Sequence, residues 1–349
     1  MKHIILSWVV VVTLVIIGIT LVLLPGRIRD RVPVLEPTPL PSPMPTPLPN
    51  KVSFTIGGDM MLGRKVAYDY LHKGLPTVLD QLGLSVFADV DAAIVNLEGP
   101  ISATPVPFDI RPNNLVFNFP PETISALQYL GVNAVSLANN HTANQGRKGI
   151  ETTLALLKAA NIQAIGGPSS SYVEKIGTFR GQGLTLYVIG VHLLAETPDI
   201  TPLIRQLKQD PKSRILVFPH WGAEYITHHG TSQERLARAW IDAGADIVIG
   251  GHPHVVQDAE VYKGKPIFYS LGNLLFDQAF SPEVQRGLII TGTFMENGLM
   301  IKAMPTQSTK YKPALVTGAL KEQTLSKLYA PLLSIAQPQE DGALFFPQP

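Results

Sequence analysis

The sequence predicts an α/β domain built on parallel strands. A helix over 121–130 precedes a strand over 134–137, and the same order recurs over 150–165 and over 231–249. The predicted strands are short apolar runs rich in β-branched residues, which is typical of strands covered on both faces. Strands that alternate with helices favour parallel pairing, and such sheets bind ligands at the carboxyl ends of their strands.

Ahead of this domain, residues 4–24 have the length and composition of a membrane anchor. The run carries no charge and is rich in valine, isoleucine and leucine, and about 20 such residues span a bilayer. It is too long for the apolar core of a cleaved signal peptide, and Pro25-Gly26-Arg27 is a poor cleavage site. The sequence therefore predicts an uncleaved transmembrane helix within residues 1–25.

Charge alone leaves the orientation of this anchor open. Three arginines follow the span and Lys2 precedes it, which by the positive-inside rule would keep the domain in the cytoplasm. The proline-rich run over 33–49 argues the other way, because it predicts a stiff, extended spacer of about 3.1 Å per residue. We expect residues 26–50 to hold an extracytoplasmic domain off the membrane. A ligand for proline-recognition domains is the alternative.

The composition narrows the class of protein. Lys plus Arg number 28 and Asp plus Glu number 27, a net charge of +1, so there is no electrostatic reason to expect a nucleic-acid partner. The absence of cysteine excludes disulfides, thiolate zinc sites and cysteine nucleophiles. We place one domain over 51–299. Residues 300–349 carry no motif and predict a peripheral segment with one helix over 321–333 and a frayed tail.

Polar side chains with ligand chemistry come just after five of the apolar runs. An H-x-H at a strand exit favours a metal or acid–base role, whereas a lone histidine is more often structural. Taken singly, Asp59 could cap a turn or a helix, and Glu98 could be a surface loop residue. Five coincidences favour one site at one sheet edge. Its candidate metal ligands are Asp59, Glu98, Asn140, His220, His252 and His254.

This donor set restricts the metal. Carboxylate, amide oxygen and imidazole together suit Mn, Fe or Zn better than Ca, and the lack of thiolates suits a catalytic site better than a structural one. His141, next to Asn140, can act as a proton donor. Arg64 either binds an anionic substrate group or forms a surface salt bridge. Histidines outside this pattern, expected to be surface or packing residues, are His72, His192, His228 and His229.

Six segments together resemble the CapA family of poly-γ-glutamate capsule-synthesis proteins, over roughly 52–293. They are G-G-D-M-M-L-G-R, N-L-E, S-L-A-N-N-H, H-W-G-A-E-Y, G-A-D-I-V-I-G-G-H-P-H-V-V-Q and Y-S-L-G-N-L-L-F-D-Q. The resemblance implies a calcineurin-like metallophosphoesterase-type fold, a four-layer α/β/β/α sandwich with two central sheets. It also implies an outward-facing, membrane-attached protein that works beside other capsule-synthesis membrane subunits.

Metallophosphoesterases hold two metals with D-x-H, an acidic bridging residue, N-H, a lone His and G-H-x-H. By this resemblance Asp59 matches the first aspartate, but Met61 stands where its histidine is expected. Glu98 would bridge the metals. The second metal would take Asn140, His220 and His252, and His254 would complete the first. One position thus keeps four ligands and the other three, so we expect at most one tightly bound ion.

The resemblance also implies roles beyond the metal. His141 fits the general acid, and Asp59 belongs with it among the catalytic residues. Asn144 replaces the aspartate of the family's A-N-N-H-x-x-D-x-G pattern. If that carboxylate orients His141, proton transfer is weaker here. Residues expected to bind substrate are Arg64, Asn96, Glu224 and Asn273.

Two functions remain open on the sequence. The first is a metal-dependent hydrolase or transferase that acts on a phosphoester, or on an amide or ester of an anionic cell-surface polymer. The second is a non-catalytic component of capsule assembly or export that holds a poly-γ-glutamate-like polymer in the same crevice. The resemblance implies involvement in synthesis or export and does not settle the reaction.

Overall fold

A computed structural model describes residues 49–83, 85–104, 111 and 113–348. The predicted anchor over 4–24 and nearly all of the predicted spacer lie outside the described residues. Within those residues, no helix combines the length and the apolar character that crossing a membrane requires.

The described chain alternates strands and helices through its first two thirds and then becomes rich in strands. The helices are α1 (Arg64–Lys73), α2 (Leu75–Leu79), α3 (Thr123–Leu130), α4 (Gly146–Ala159), α5 (Thr201–Leu207), α6 (Thr231–Ala243) and α7 (Gly318–Tyr329). The strands are β1 (Lys51–Met60), β2 (Ala92–Leu97), β3 (Ala134–Ser136), β4 (Gln163–Ile165), β5 (Gly177–Arg180), β6 (Thr185–His192), β7 (Ser213–His220), β8 (Ile247–Ile249), β9 (Ala259–Tyr262), β10 (Lys265–Phe268), β11 (Asn273–Leu275), β12 (Arg286–Met295), β13 (Gly298–Thr309), β14 (Lys312–Leu315), β15 (Gln337–Pro338) and β16 (Leu344–Pro347).

These strands form two sheets. The larger has the order β15-β16-β13-β12-β1-β2-β3-β4, with β11 beside β1 and β14 beside β13. Its β1 to β4 are parallel, whereas β12 and β13 are antiparallel. The smaller has the order β5-β6-β7-β8-β10-β9, parallel in its centre and antiparallel at both edges. The fold is therefore mixed α/β, with the predicted parallel strands at the heart of each sheet.

Three buried apolar clusters pack the two sheets against each other and against the helices. The first joins one face of each sheet, with Phe54 and Ile94 from the larger sheet and Val188 and Phe218 from the smaller. A second packs the opposite face of the larger sheet against α1 to α4. A third packs the opposite face of the smaller sheet against α5 and α6, around Trp240. Helices thus cover the outer faces of two sheets that share a buried interior.

The residues after 299 differ from the sequence prediction. β13 runs across that position as one strand, paired with β12 over its length. The predicted tail contains β16, which pairs with β13 and buries Leu344 and Phe346. The predicted helix begins earlier, at Gly318, and ends at Tyr329. The cause is long-range pairing, because β16 is stabilised by an edge of the sheet that its own short pattern does not reveal.

The spacing of Thr231 and Glu234 is typical of a capping box at the start of α6. In the structure Gly230 is the cap residue, and its N–H donates to Gln233 Oε1 at 2.8 Å. At the other end, Gly244 follows the last helical residue in the left-handed conformation that is common at helix C-termini.

Candidate metal centre

The two sheets bring the carboxyl ends of β1, β2, β3, β7 and β8 together. The predicted ligands from the two sheets meet there. His254 Nδ1 lies 3.3 Å from Asp59 Oδ2, and His254 Nε2 lies 3.6 Å from Glu98 Oε1. Asn140 Oδ1 lies 2.9 Å from His220 Nε2. Residues distant in sequence are thus gathered at one buried site, because both sheets end at the same place.

Asp59 is fully buried at the end of β1. Its Oδ1 accepts a hydrogen bond from Asn96 Nδ2 at 2.8 Å, and its Oδ2 accepts the His252 backbone N–H at 3.2 Å. A Cβ on Gly251 would lie 2.8 Å from Asp59 Oδ1. Glycine is therefore required at 251 for this close approach, which locks the H-x-H segment onto the aspartate.

Glu98 and His254 are arranged as if to share a cation. His254 Nδ1 lies 3.0 Å from Asn273 Oδ1, which can only accept, so Nδ1 carries the proton. The other ring nitrogen, Nε2, then faces Glu98 Oε1. That oxygen is buried and finds no hydrogen-bond partner among the described residues. Two electron-rich atoms that face each other in a buried site fit a metal ion or a proton between them.

The pKa values of His254 and Glu98 also indicate that this buried site favours a positive charge. Burial would lower the pKa of His254, but Glu98 and Asp59 outweigh it and raise that pKa to about 9. Burial raises the pKa of Glu98 well above its usual value, opposed by His254 and reinforced by Asp59. Asp59, Glu98 and His254 each offer one ligand atom within 4.8 Å of the others. This group can therefore hold a metal ion.

The second half of the site is made of neutral imidazoles and an amide. Burial lowers the pKa of His220 well below its usual value, and burial followed by the charge of His254 lowers the pKa of His252 to about 4. Their ring centres are 4.7 Å apart. His252 Nδ1 is buried and unpartnered in the part of the chain that the structure describes. Neutral imidazole is the form that binds metals.

The two histidines of the H-x-H segment have strained backbones. His252 has φ of 96° and His254 has φ of 59°, a region that non-glycine residues adopt uncommonly. Two glycines precede these histidines and are the residues that most readily make a tight turn. Neither Gly250 nor Gly251 has a positive φ. The strain lies on the histidines themselves, as is common at functional sites.

His141 lies at the edge of the centre, with Nε2 3.9 Å from Glu98 Oε1. Its Nδ1 is 3.0 Å from Asn144 Oδ1, and the ring packs on Phe117 at 4.2 Å between centres. Burial lowers the pKa of His141, and the hydrogen bond to Asn144 partly opposes that. A mainly neutral ring with its proton on Nδ1 leaves Nε2 as an acceptor toward the site.

Three residues that the sequence proposes for substrate binding have hydrogen-bond or ion-pair partners inside the protein. Arg64 is buried in an ion pair with Asp277, and its Nη1 donates to Asn114 O at 3.1 Å. Asn96 is 2% exposed and donates to Asp59. Asn273 is 3% exposed and donates to Val284 O at 3.0 Å while it accepts from His254. Asn96 thus holds the candidate ligand Asp59 in place, and Asn273 holds the candidate ligand His254.

Glu224 differs from those three, because it is exposed. It also forms a ligand-type group with His252 and His254, whose atoms lie within 4.8 Å of one another. Met61, which replaces the expected histidine, is fully buried in the helix-side core, with Gly63 N–H 3.2 Å from its Sδ. The centre is therefore open on the Glu224 side and closed on the Met61 side.

Sequence reasoning missed two supporting residues. Asn139 is fully buried, and its Oδ1 accepts from the backbone N–H groups of His141 and Thr142. Its place beside Asn140 in A-N-N-H was a usable signal. His192 ends β6 one strand from His220. It follows an apolar run, so the strand-exit rule applied to the other histidines would have included it.

The family model and two sequence relatives agree on one family. Residues 53–278 match the family described as bacterial capsule synthesis protein PGA_cap. The capsule biosynthesis protein CapA of Bacillus anthracis is 30% identical over 294 residues, which cover 77% of this chain and 71% of that protein. The PGA biosynthesis protein CapA of Bacillus subtilis (strain 168) is 28% identical over 315 residues, covering 84% and 82%. A crystal structure of a hypothetical protein from Thermus thermophilus shares 18% identity with a TM-score of 0.43, over 75% of this chain and 96% of that chain.

Proposed function

The chain belongs to the bacterial capsule synthesis protein family PGA_cap, and on that premise we propose that it serves the synthesis or export of a poly-γ-glutamate-like polymer through a divalent metal centre. The relatives named for capsule and PGA biosynthesis support the polymer. The layered fold and the donor set support a place among the calcineurin-like metallophosphoesterases.

The observation that carries the metal is the buried Oε1 of Glu98, which has no hydrogen-bond partner among the described residues and faces His254 Nε2 at 3.6 Å. Leaving such atoms buried without a partner costs about 1–3 kcal/mol each. A divalent ion of Mn, Fe or Zn removes that cost and suits carboxylate, amide and imidazole ligands. The ligands would be Asp59, Glu98, Asn140, His220, His252 and His254. Because Met61 supplies no ligand to the half formed by Asp59, Glu98 and His254, we propose one tightly bound ion, on the half formed by Glu98, Asn140, His220 and His252.

As a hydrolase, the centre would act on a phosphoester or on an amide or ester of the polymer. When bound, the metal supplies a polarised scissile group and an activated water. His141 lies beside Glu98 at the edge of the centre, and its Nε2 would take a proton from the attacking water and return it to the leaving group. Asn144 would fix the ring, and Glu224 would contact the substrate at the open side.

We further propose that residues 4–24 anchor the protein in the cell membrane and that the proline-rich spacer holds the domain on the extracytoplasmic side. The uncharged run of residues and the spacer support this location. Other capsule-synthesis membrane subunits would be its partners. A protease-accessibility assay on intact protoplasts tests it: cleavage of the domain is expected, and full protection would contradict the orientation.

A non-catalytic role in polymer holding is the second candidate, favoured by Asn144 in place of a carboxylate and by Met61. His141→Ala separates the two. A binding component keeps polymer affinity and polymer output in vivo, whereas a hydrolase or transferase loses turnover.

The metal itself is tested by elemental analysis of the full-length chain purified without chelator, beside a His252→Ala/His254→Ala variant. About one equivalent of Mn, Fe or Zn is expected in the parent protein and none in the variant. Two tightly bound equivalents would contradict the single-ion proposal. Absence of metal from both, even after it is added back, would leave the polymer-holding role.

A further inference from the structure

His192 continues the row of histidines beyond the predicted ligands. It is the last residue of β6 and is in register with His220 at the end of the parallel strand β7. The ring centres of His192 and His220 are 6.1 Å apart, those of His220 and His252 are 4.7 Å apart, and those of His252 and His254 are 5.8 Å apart. Four imidazoles therefore line one edge of the smaller sheet.

The protein fixes the tautomer of His192. Its Nδ1 lies 3.0 Å from the carbonyl oxygen of Pro168, which can only accept, so Nδ1 carries the proton. In the neutral ring Nε2 then bears a lone pair. The residue is 8% exposed, and Nε2 is buried with no hydrogen-bond partner in the described segments. A histidine that donates one ring N–H to a backbone carbonyl while its other nitrogen keeps its lone pair has the arrangement usual for a metal ligand.

The ring separations suit a shared ion. With metal–nitrogen bonds of about 2.1 Å, two imidazoles on one ion have ring centres about 4.5 Å apart at a right angle and about 6.4 Å apart when opposite. His252 and His192 fall within this range on either side of His220. His192 and His220 belong to neither of the two compact ligand groups, so sharing one ion would require their ligand atoms to lie closer together than they do in this structure.

We infer that His192 is an additional ligand of the metal centre, through Nε2, on the half formed by Asn140, His220 and His252. This inference rests on the proposed metal centre. Met61 supplies no ligand to the half that contains Asp59 and His254. The imidazole of His192 adds a ligand to the half that contains His220, which makes that half the higher-affinity metal position. With Glu98 counted as a ligand of this half, His192 is its fifth protein ligand. Five protein ligands favour an ion that accepts five or six, such as Mn or Fe, over tetrahedral zinc.

The test compares His192→Gln with His228→Gln, a histidine whose side chain is 84% exposed. Full-length chains are stripped and titrated with Mn²⁺ and with Cu²⁺ against a competing chelator. His192→Gln is expected to weaken binding about 10- to 100-fold, and His228→Gln to leave it unchanged. Pulsed EPR of the Cu²⁺ protein should lose one imidazole nitrogen in His192→Gln only.

The outcomes separate the inference from the proposed function. Equal affinity and an equal nitrogen count in His192→Gln overturn the role of His192 and leave the metal centre standing. No metal binding by the parent protein overturns both. If His192→Gln does not fold, His192→Ala takes its place, and a nitrogen count equal to that of the parent protein overturns the inference.

Discussion

The imidazole of His141 is held by the side chain of Asn144, whose Oδ1 lies 3.0 Å from His141 Nδ1. The same oxygen accepts the backbone N–H of Phe117 at 2.7 Å. The residue that replaces the family's expected aspartate therefore keeps the orienting contact. What it withholds is the negative charge that would stabilise an imidazolium.

Asn144→Asp restores that charge, and we expect it to raise the pKa of His141. Burial now lowers this pKa, and an adjacent carboxylate favours the protonated ring by about one pH unit or more. NMR titration of the His141 ring in metal-free protein measures the change. Asn161→Asp, in an exposed turn, is the matched control. An unchanged or lower pKa in Asn144→Asp would mean that the amide does not govern the ring.

Asn273 holds His254 from the side away from Glu98, and we expect Asn273→Ala to weaken metal binding about 10- to 100-fold. The variant removes the acceptor at 3.0 Å that keeps the proton on His254 Nδ1. Chelator competition measures the affinity. Gln278→Ala, which removes a contact to Asn273 on its outer side, is the control. Parental affinity in Asn273→Ala would rule out the idea that this asparagine directs Nε2.

The sequence named side chains that the structure brings together, but not the internal contacts of Asn96 and Asn273, and both outcomes have one physical reason. The candidate ligands come just after strands in the sequence, and parallel pairing is enough to bring the carboxyl ends of those strands to one edge of the sheet. Whether a polar side chain there faces the crevice or lies beneath it depends on tertiary pairing. Asn96 meets Asp59 across the β1–β2 ladder, and Asn273 meets His254 from β11. Neither partner can be inferred from the pattern around the asparagine.

Gly251→Ala should reduce metal affinity much more than it reduces stability. The added Cβ would lie 2.8 Å from Asp59 Oδ1, so the carboxylate must move and lose its hydrogen bond from Asn96. The backbone at 251 does not have a positive φ, so alanine brings no backbone strain. Gly230→Ala, with its nearest atom at 3.7 Å, is the control. Thermal melts with and without metal measure both effects; a large loss of melting temperature in metal-free Gly251→Ala would contradict the expectation.

Asp246 anchors the start of the segment that presents the H-x-H histidines. It is 1% exposed, accepts Lys208 Nζ at 2.6 Å and Lys265 Nζ at 3.2 Å, and also accepts the Ile215 N–H at 2.9 Å. Asp246→Ala should lower the free energy of unfolding by about 3 kcal/mol, since it leaves a partly buried lysine without its partner. Urea denaturation measures the loss. Asp242→Asn, in an exposed pair with Lys263, should change nothing measurable, and equal effects in both variants would contradict the anchoring role.

The C-terminal strand is the element that the sequence could not predict, and its removal tests what the sheet edge contributes. β16 pairs with β13 in register from Gly298 to Ile301 and buries Leu344 and Phe346, each 2% exposed. Read alone, the four residues Leu344–Pro347 resemble a tail. Paired with β13, they cover a sheet edge that would otherwise expose its backbone groups. Deletion of 343–349 should lower the free energy of unfolding by about 4 kcal/mol, because burying each such side chain contributes about 1.5–3 kcal/mol. Deletion of 348–349 alone should not. Urea denaturation measures the free energy of unfolding of both deletion variants. Equal values would mean that β16 contributes no stability and is the peripheral segment that its sequence suggests.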